Sequence, residues 1–235
     1  MLKKIIASIT MLAVVQGYAQ QWPAIHKETK PWTRWLWMGS AVDKAGLDQQ
    51  LKSFNEVGFG GVEVVPIYGA IGYEKKYINY LSPQWMKMLD YTVNKTALFN
   101  MGVDISVGTG WPIGGPQVSI QDAATKMIVQ TYVLKAGETL KEKIVLNDGK
   151  QKGLPGVFLS VVTAYDENGK SVVITDHVLA DGSLQWQPQT GNWKIFALFV
   201  GKTRQMVKRA AAGGEGYTLD HFSSNAIVNY FKTFD

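Results

Sequence analysis

Between Trp32 and Val107 the chain alternates two hydrophobic periods, and few folds accommodate that alternation. Trp32-Thr33-Arg34-Trp35-Leu36-Trp37-Met38-Gly39-Ser40 is an aromatic run ending at a glycine, and reads as a strand. Asp43 is placed to cap a helix, in which Leu47, Leu51, Phe54 and Val57 recur at helical spacing before Gly58 and the Gly60-Gly61 pair. Val62-Glu63-Val64-Val65-Pro66-Ile67 is almost continuously apolar, as buried parallel strands are. Ser82-Pro83 opens a second helix with a cap followed by proline in the first turn, and Trp85, Met86, Leu89, Val93 and Ala97 form its apolar stripe. Met101–Val107 is the third strand. Strand, helix, strand, helix, strand with short connections is a βα-repeat pattern and predicts a parallel sheet.

The third strand runs into Gly108-Thr109-Gly110-Trp111-Pro112-Ile113-Gly114-Gly115-Pro116. Glycines let the backbone turn or approach a ligand, prolines stop the strand, and Trp111 offers a flat face suited to a sugar ring. A rigid loop with Trp111 packed inward fits the same residues. After Asp122 the pattern changes. Met127–Leu134, Glu142–Leu146, Val157–Tyr165, Ser171–Leu179 and Trp193–Lys202 are short β-rich runs, with turn signals at Asn168-Gly169 and Asp181-Gly182. They predict an antiparallel β unit over 127–203. At Gly213 the earlier style returns, and Tyr217-Thr218-Leu219-Asp220-His221 reads as a fourth barrel strand, followed by a helix capped by Ser223 or Ser224.

The fold class is therefore α/β: the N-terminal half of a (β/α)8 barrel with an inserted antiparallel β-rich unit. The divisions are a signal peptide at 1–19, barrel strands 1–3 within 20–126, the insertion at 127–203, and the barrel continuation at 204–235. A βα barrel needs eight strands and typically about 250 residues, so the chain is expected to be truncated. Lys3 and Lys4, the apolar run Ile5–Val15 and Gly17-Tyr18-Ala19 form a leader that predicts cleavage before Gln20 and export to the periplasm or medium. No later run reaches the ~18 apolar residues of a membrane span. Without the leader's two lysines the formal charge falls from +5 to +3, and the remaining cations are scattered, which argues against nucleic-acid binding. The chain has no cysteine, so disulfides and thiol chemistry are excluded.

Barrel enzymes act at the C-terminal ends of their strands. The groups placed there are Ser40, Pro66 to Tyr68, Thr109 to Trp111, and Asp220 with His221. Asp220-His221 is the best polar pair, since both groups fall at one strand end, able to bind sugar hydroxyls, hold an ion or orient one another; a helix-capping aspartate and a hydrogen-bonded structural histidine are the alternative. Glu63 and Asp104 lie inside apolar strands, where a lone charge is costly, and with Arg34 they are expected to form a buried ion-paired layer or to serve catalysis. Glycoside hydrolysis generally needs two carboxyl groups flanking the scissile bond. Asp220 is one rim candidate and Asp122 a weaker second; a complete acid–base pair is not visible. His26, His177 and His221 are far apart in sequence, and no metal-ligand cluster appears.

Five blocks resemble glycoside hydrolase family 106, the bacterial α-L-rhamnosidases. They are Pro31–Asp43, Gly60–Glu63 with Pro66–Gly69, Leu81–Met86, Gly108–Pro116 and Gly216–Phe222, in that order. The resemblance implies an exported enzyme that removes terminal α-L-rhamnose from a polysaccharide with inversion, in a longer chain. It implies a calcium ion near the sugar. It places the catalytic glutamates beyond Asp235, so neither acid nor base can be carried onto a residue here. Trp111, Asp220 and His221, with Tyr68 and Glu63, are the implied sugar-pocket residues. A barrel glycosidase acting on another sugar and a non-catalytic glycan-binding protein are the alternatives.

Overall fold

The structure is a computed structural model that describes residues 23–234. The leader at 1–19 and its cleavage point lie outside the described residues. Three strands, β1 (Trp32–Met38), β2 (Gly61–Ile67) and β3 (Gly102–Ile105), form a parallel sheet in the order β1-β2-β3. Helices α1 (Lys44–Glu56) and α2 (Pro83–Leu98) make the crossovers. Both caps act through the side chains predicted: Asp43 accepts from Gly46 N at 2.8 Å and Ser82 from Trp85 N at 3.3 Å.

The core sits between the helices and one sheet face. Trp35, Trp37, Val62 and Val64 meet Leu47, Leu51, Trp85 and Met88 there. The aromatic rings stack edge to face, with Trp37 5.8 Å from Trp35 and 5.9 Å from Trp85. Their polar corners are served: Trp35 Nε1 donates to Gln50 Oε1 at 2.7 Å and Trp85 Nε1 to Ser40 Oγ at 3.1 Å. The stripe on α2 is not the predicted one. Met86 and Val93 are exposed, and Thr92 and Thr96 are buried beside Trp85 and Met88. The two threonines fit an apolar face because their hydroxyls donate back to the helix, Thr92 to Met88 O at 2.9 Å and Thr96 to Val93 O at 2.9 Å.

Trp32 roofs the start of the sheet on the opposite face. A Cβ at Gly61 or Gly102 would fall 2.5 or 2.3 Å from its ring, so both strands begin with glycine. On that face Arg34, Glu63 and Asp104 share one register row. Arg34 and Glu63 form the ion pair, with Nε to Oε2 at 2.9 Å and Nη2 to Oε1 at 3.1 Å. The layer is not buried, because the face turns away from both helices: the two side chains are 59% and 33% exposed. Leu36 and Met38 lie open on the same face.

After β3 the chain forms β4 (Gly114–Gly115), then β5 (Thr125–Lys135), β6 (Phe158–Asp166), β7 (Ser171–Val173) and β8 (Asn192–Lys202). The last four make an antiparallel sheet in the order β5-β8-β6-β7. One face packs on Ile144, Ile174 and Leu184 from its own connections. Glu142–Leu146 is not a strand; Ile144 N bonds Gly182 O once, at 2.7 Å. The fourth parallel barrel strand predicted at Tyr217–His221 is absent. Only β9 (Tyr217–Thr218) forms, and it pairs antiparallel with β4. Glycine permits this pairing: a Cβ on Gly114 would sit 2.2 Å from Tyr217 O, and 217–219 are held further by Thr218 N to Gln205 O and Leu219 N to Ile113 O, each at 2.9 Å. Helix α3 (Ser224–Phe231) follows, capped by Ser223, which accepts from Ala226 N at 3.2 Å. Among the described residues, no helix is long and apolar enough to cross a membrane.

Candidate functional site

The C-terminal ends of β1, β2 and β3 meet two loops, and the glycines of the 108–116 loop explain how. A Cβ on Gly110 would lie 2.2 Å from Lys208 O, and one on Gly214 would lie 2.3 Å from Thr109 Oγ1. With those atoms missing, residues 207–216 lie directly on the 108–116 loop as a strap. Trp111 and Lys208 exchange backbone bonds of 3.0 and 2.8 Å. Ala211 N donates to Thr109 O at 3.1 Å, and Thr109 Oγ1 donates to Gly214 O at 2.9 Å. The strap also reaches β2 and the segment before α2: Tyr68 N donates to Arg209 O at 3.0 Å and Tyr80 N to Ala212 O at 2.8 Å.

The result is a rim with two half-exposed rings, Trp111 and Tyr68, at 47% and 42% exposure. The Arg209 guanidinium lies 5.8 Å from the centre of the Tyr68 ring. Beneath the rim, Arg34, Val65, Pro66, Ile67, Ser106, Gly110 and Trp111 enclose a cavity of about 20 Å³. That holds about one water and no sugar. The two half-exposed rings above it are flat apolar surfaces open to solvent.

Of the predicted residues, Trp111 and Tyr68 come together here, and Glu63 joins them through Arg34. Ser40 lies at the end of β1, but its hydroxyl accepts the Trp85 indole N–H and is fully buried. Asp220 and His221 do not line the cavity. Asp220 is buried: Thr125 Oγ1 donates to its Oδ2 and Phe222 N to its Oδ1, each at 3.0 Å. His221 is exposed, with Nδ1 2.8 Å from Leu219 O. Near Asp220 a buried cation closes the end of β8. Lys202 Nζ donates to Gln121 O at 2.7 Å and Ala123 O at 3.0 Å. Burial pushes its pKa down, partly offset by Asp220 and Asp122.

No carboxylate is among the residues lining the cavity, so the acid and base of a hydrolysis are not placed there. The calcium ion implied by the resemblance finds no cage either. Among the described residues, no three of His, Asp and Glu gather closely enough to share an ion, and both Asp220 oxygens already accept hydrogen bonds. Sequence reasoning missed the strap, and with it Lys208 and Arg209. Nothing in the local pattern tells which of many cations will be carried to the rim by a contact spanning about a hundred positions.

Three comparisons bear on this site. The sequence profile of the α-L-rhamnosidase family, glycoside hydrolase family 106, matches residues 24–161. A Formosa agariphila protein provisionally named a β-glucuronidase is 21% identical over 240 residues, covering 87% of this chain and 20% of that protein. The solved structure of a rhamnosidase from Novosphingobium sp. PP1Y superposes with a TM-score of 0.66 at 13% identity, covering 90% of this chain and 36% of the other. That likeness is one of fold. The chain thus spans 20% of the length of the one and 36% of the other.

Proposed function

Because this chain belongs to glycoside hydrolase family 106, the α-L-rhamnosidases, we propose that it is the N-terminal part of an exported enzyme removing terminal α-L-rhamnose from a polysaccharide with inversion. In this reading β1–β3 with α1 and α2 are the first units of a (β/α)8 barrel. The face bearing Leu36, Met38 and the Arg34–Glu63 pair is the barrel interior. The acid and base come from carboxylates outside the residues described here. Export rests on the leader at 1–19.

The observation that carries the reading is that the strap ties Trp111, through Lys208, and Tyr68, through Arg209, to the C-terminal strand ends, where βα enzymes bind substrate. Trp111 stacks on a sugar face, and the strap holds its backbone from both sides. Glu63, fixed by Arg34, lies within the sheet below. These residues bind and orient; proton transfer belongs to other groups.

The test is turnover of an aryl α-L-rhamnoside against an aryl β-D-glucuronide by the enzyme carrying this segment. Rhamnoside cleavage with the inverted anomer seen first by NMR supports the proposal. Preference for the glucuronide, or retention, removes it. Trp111→Ala should raise KM about tenfold, equivalent to roughly 1.4 kcal/mol of lost stacking. Glycan binding without hydrolysis is a second reading, favoured by the lack of a carboxylate at the cavity. It predicts a measurable Kd and no released sugar.

A further inference from the structure

We propose that the rim selects a glycan carrying an anionic group, a carboxylate or a sulfate, beside the sugar that stacks on Trp111, with Arg209 and Lys208 as the specificity-determining residues. The inference rests on the reading of this rim as the glycan site and names its substrate class.

Among the described residues Lys27, Arg34, Lys52, Lys95 and Lys143 each face a carboxylate, Lys202 is held by two carbonyls, and many surface cations have no ion pair. Arg209 and Lys208 form no ion pair among the described residues, yet they are the two cations fixed at the rim. Their backbones are held in place. Lys208 is the bridge partner of Trp111, and Arg209 O accepts from Tyr68 N at 3.0 Å. Arg209 also sits at φ 59°, a region that glycine enters freely and arginine does not. A residue chosen for backbone comfort alone would be glycine.

The side chain is oriented as well. Its guanidinium lies against the Tyr68 ring, 5.8 Å from the centroid. At that distance the ring attracts the cation without covering it, and the exposed guanidinium keeps N–H donors that match a carboxylate or sulfate with two parallel hydrogen bonds. Both charged side chains are exposed. A ligand anion therefore arrives without displacing a protein carboxylate. Trp111 takes the apolar sugar face and the two cations take the charge next to it.

The test titrates the enzyme carrying this segment calorimetrically with four ligands: a rhamnosyl-uronate disaccharide, its carboxyl-reduced neutral counterpart, a sulfated rhamnoside, and the free uronate. The acidic disaccharide should bind about tenfold more tightly than the neutral one, with the advantage shrinking as salt rises. The sulfated ligand tells charge from shape. Equal gain by sulfate and carboxylate means that the net cation is read; gain by carboxylate alone means that the fork is read, and either supports the proposal. Arg209→Gly removes the guanidinium while relieving the backbone, so the variant should melt no lower than the parent and should lose the acidic preference. Arg209→Lys keeps charge without the fork, and Lys208→Ala should weaken both anions. Equal binding of acidic and neutral disaccharides overturns this inference and leaves the rhamnoside reading intact. Binding of a free uronate with no rhamnoside binding sinks the rhamnoside reading and keeps the anion site. Absence of all binding overturns both.

Discussion

Asp220 shows how a residue type can point two ways until its partners are known. At a strand end beside a histidine it reads as a ligand for sugar or metal, and a helix-capping role fits the same letters. Its carboxylate is spent on Thr125 Oγ1 and Phe222 N. Asp220→Ala should therefore cost about 1–3 kcal/mol of stability through the two donors left unmatched, measured by urea denaturation. Activity per folded molecule should hardly change; a strong loss of turnover at unchanged stability would return Asp220 to the site. Tyr80 and Tyr230 make a second residue-scale prediction. Burial raises both phenols, Tyr230 to about 12 and Tyr80 further still, the latter also through its proximity to Tyr230. Their folded pKa values exceed the unfolded value near 10, so their contribution is complete below pH 10 and is lost as pH rises toward 12. Stability should fall across that window, and Tyr230→Phe should flatten the fall. An unaltered alkaline profile in that variant would show that the phenol titrates normally.

At the scale of elements, the βα alternation was readable because two periods of hydrophobicity and two cap residues agreed with each other. Asp43 and Ser82 needed no tertiary information, since a cap bonds three residues ahead. Ser82→Ala should cost about 1 kcal/mol, seen as a lower denaturant midpoint. The face of α2 was harder to read. Val93 outranks Thr92 on any hydropathy scale, but a threonine that bonds its own helix hides its polarity, and the helix turns that side inward. The buried face of β1 can be tested directly. In this chain taken alone, Trp37→Ala should cost about 3–5 kcal/mol, whereas Leu36→Ser, on the face that a complete barrel would cover, should stay within roughly 0.5 kcal/mol. Comparable losses at both positions would mean that the two faces are equally packed. The fourth strand was misread for a reason of range. Tyr217–Thr218 carry ordinary strand residues, and the partner they find depends on a missing side chain at Gly114, over a hundred positions away, which lets the backbones approach. Periodicity says that a segment is extended; it does not say which neighbour it will find.

Across the whole molecule, the antiparallel sheet is joined to the α/β layer at one end by a small polar cluster. Lys202 Nζ holds the carbonyls of Gln121 and Ala123. Gln151 clamps the Lys202 backbone from both sides, at 2.8 Å to its N–H and 2.9 Å to its carbonyl. Lys202→Met would fill the volume and leave both carbonyls without a donor. It should lower stability by about 2–5 kcal/mol and separate the unfolding of the sheet from that of the α/β layer, visible as two calorimetric transitions. A single transition at the parent temperature would mean that Lys202 does not couple them. Thr125 and Lys202 are direct register partners at the ends of β5 and β8. The chain thus leaves for the sheet and comes back at neighbouring points, about 5 Å apart. For a protein engineer those two positions are a splice junction. An ancestral gene could have acquired everything between them in one event, and a laboratory could exchange it for another domain whose termini lie equally close.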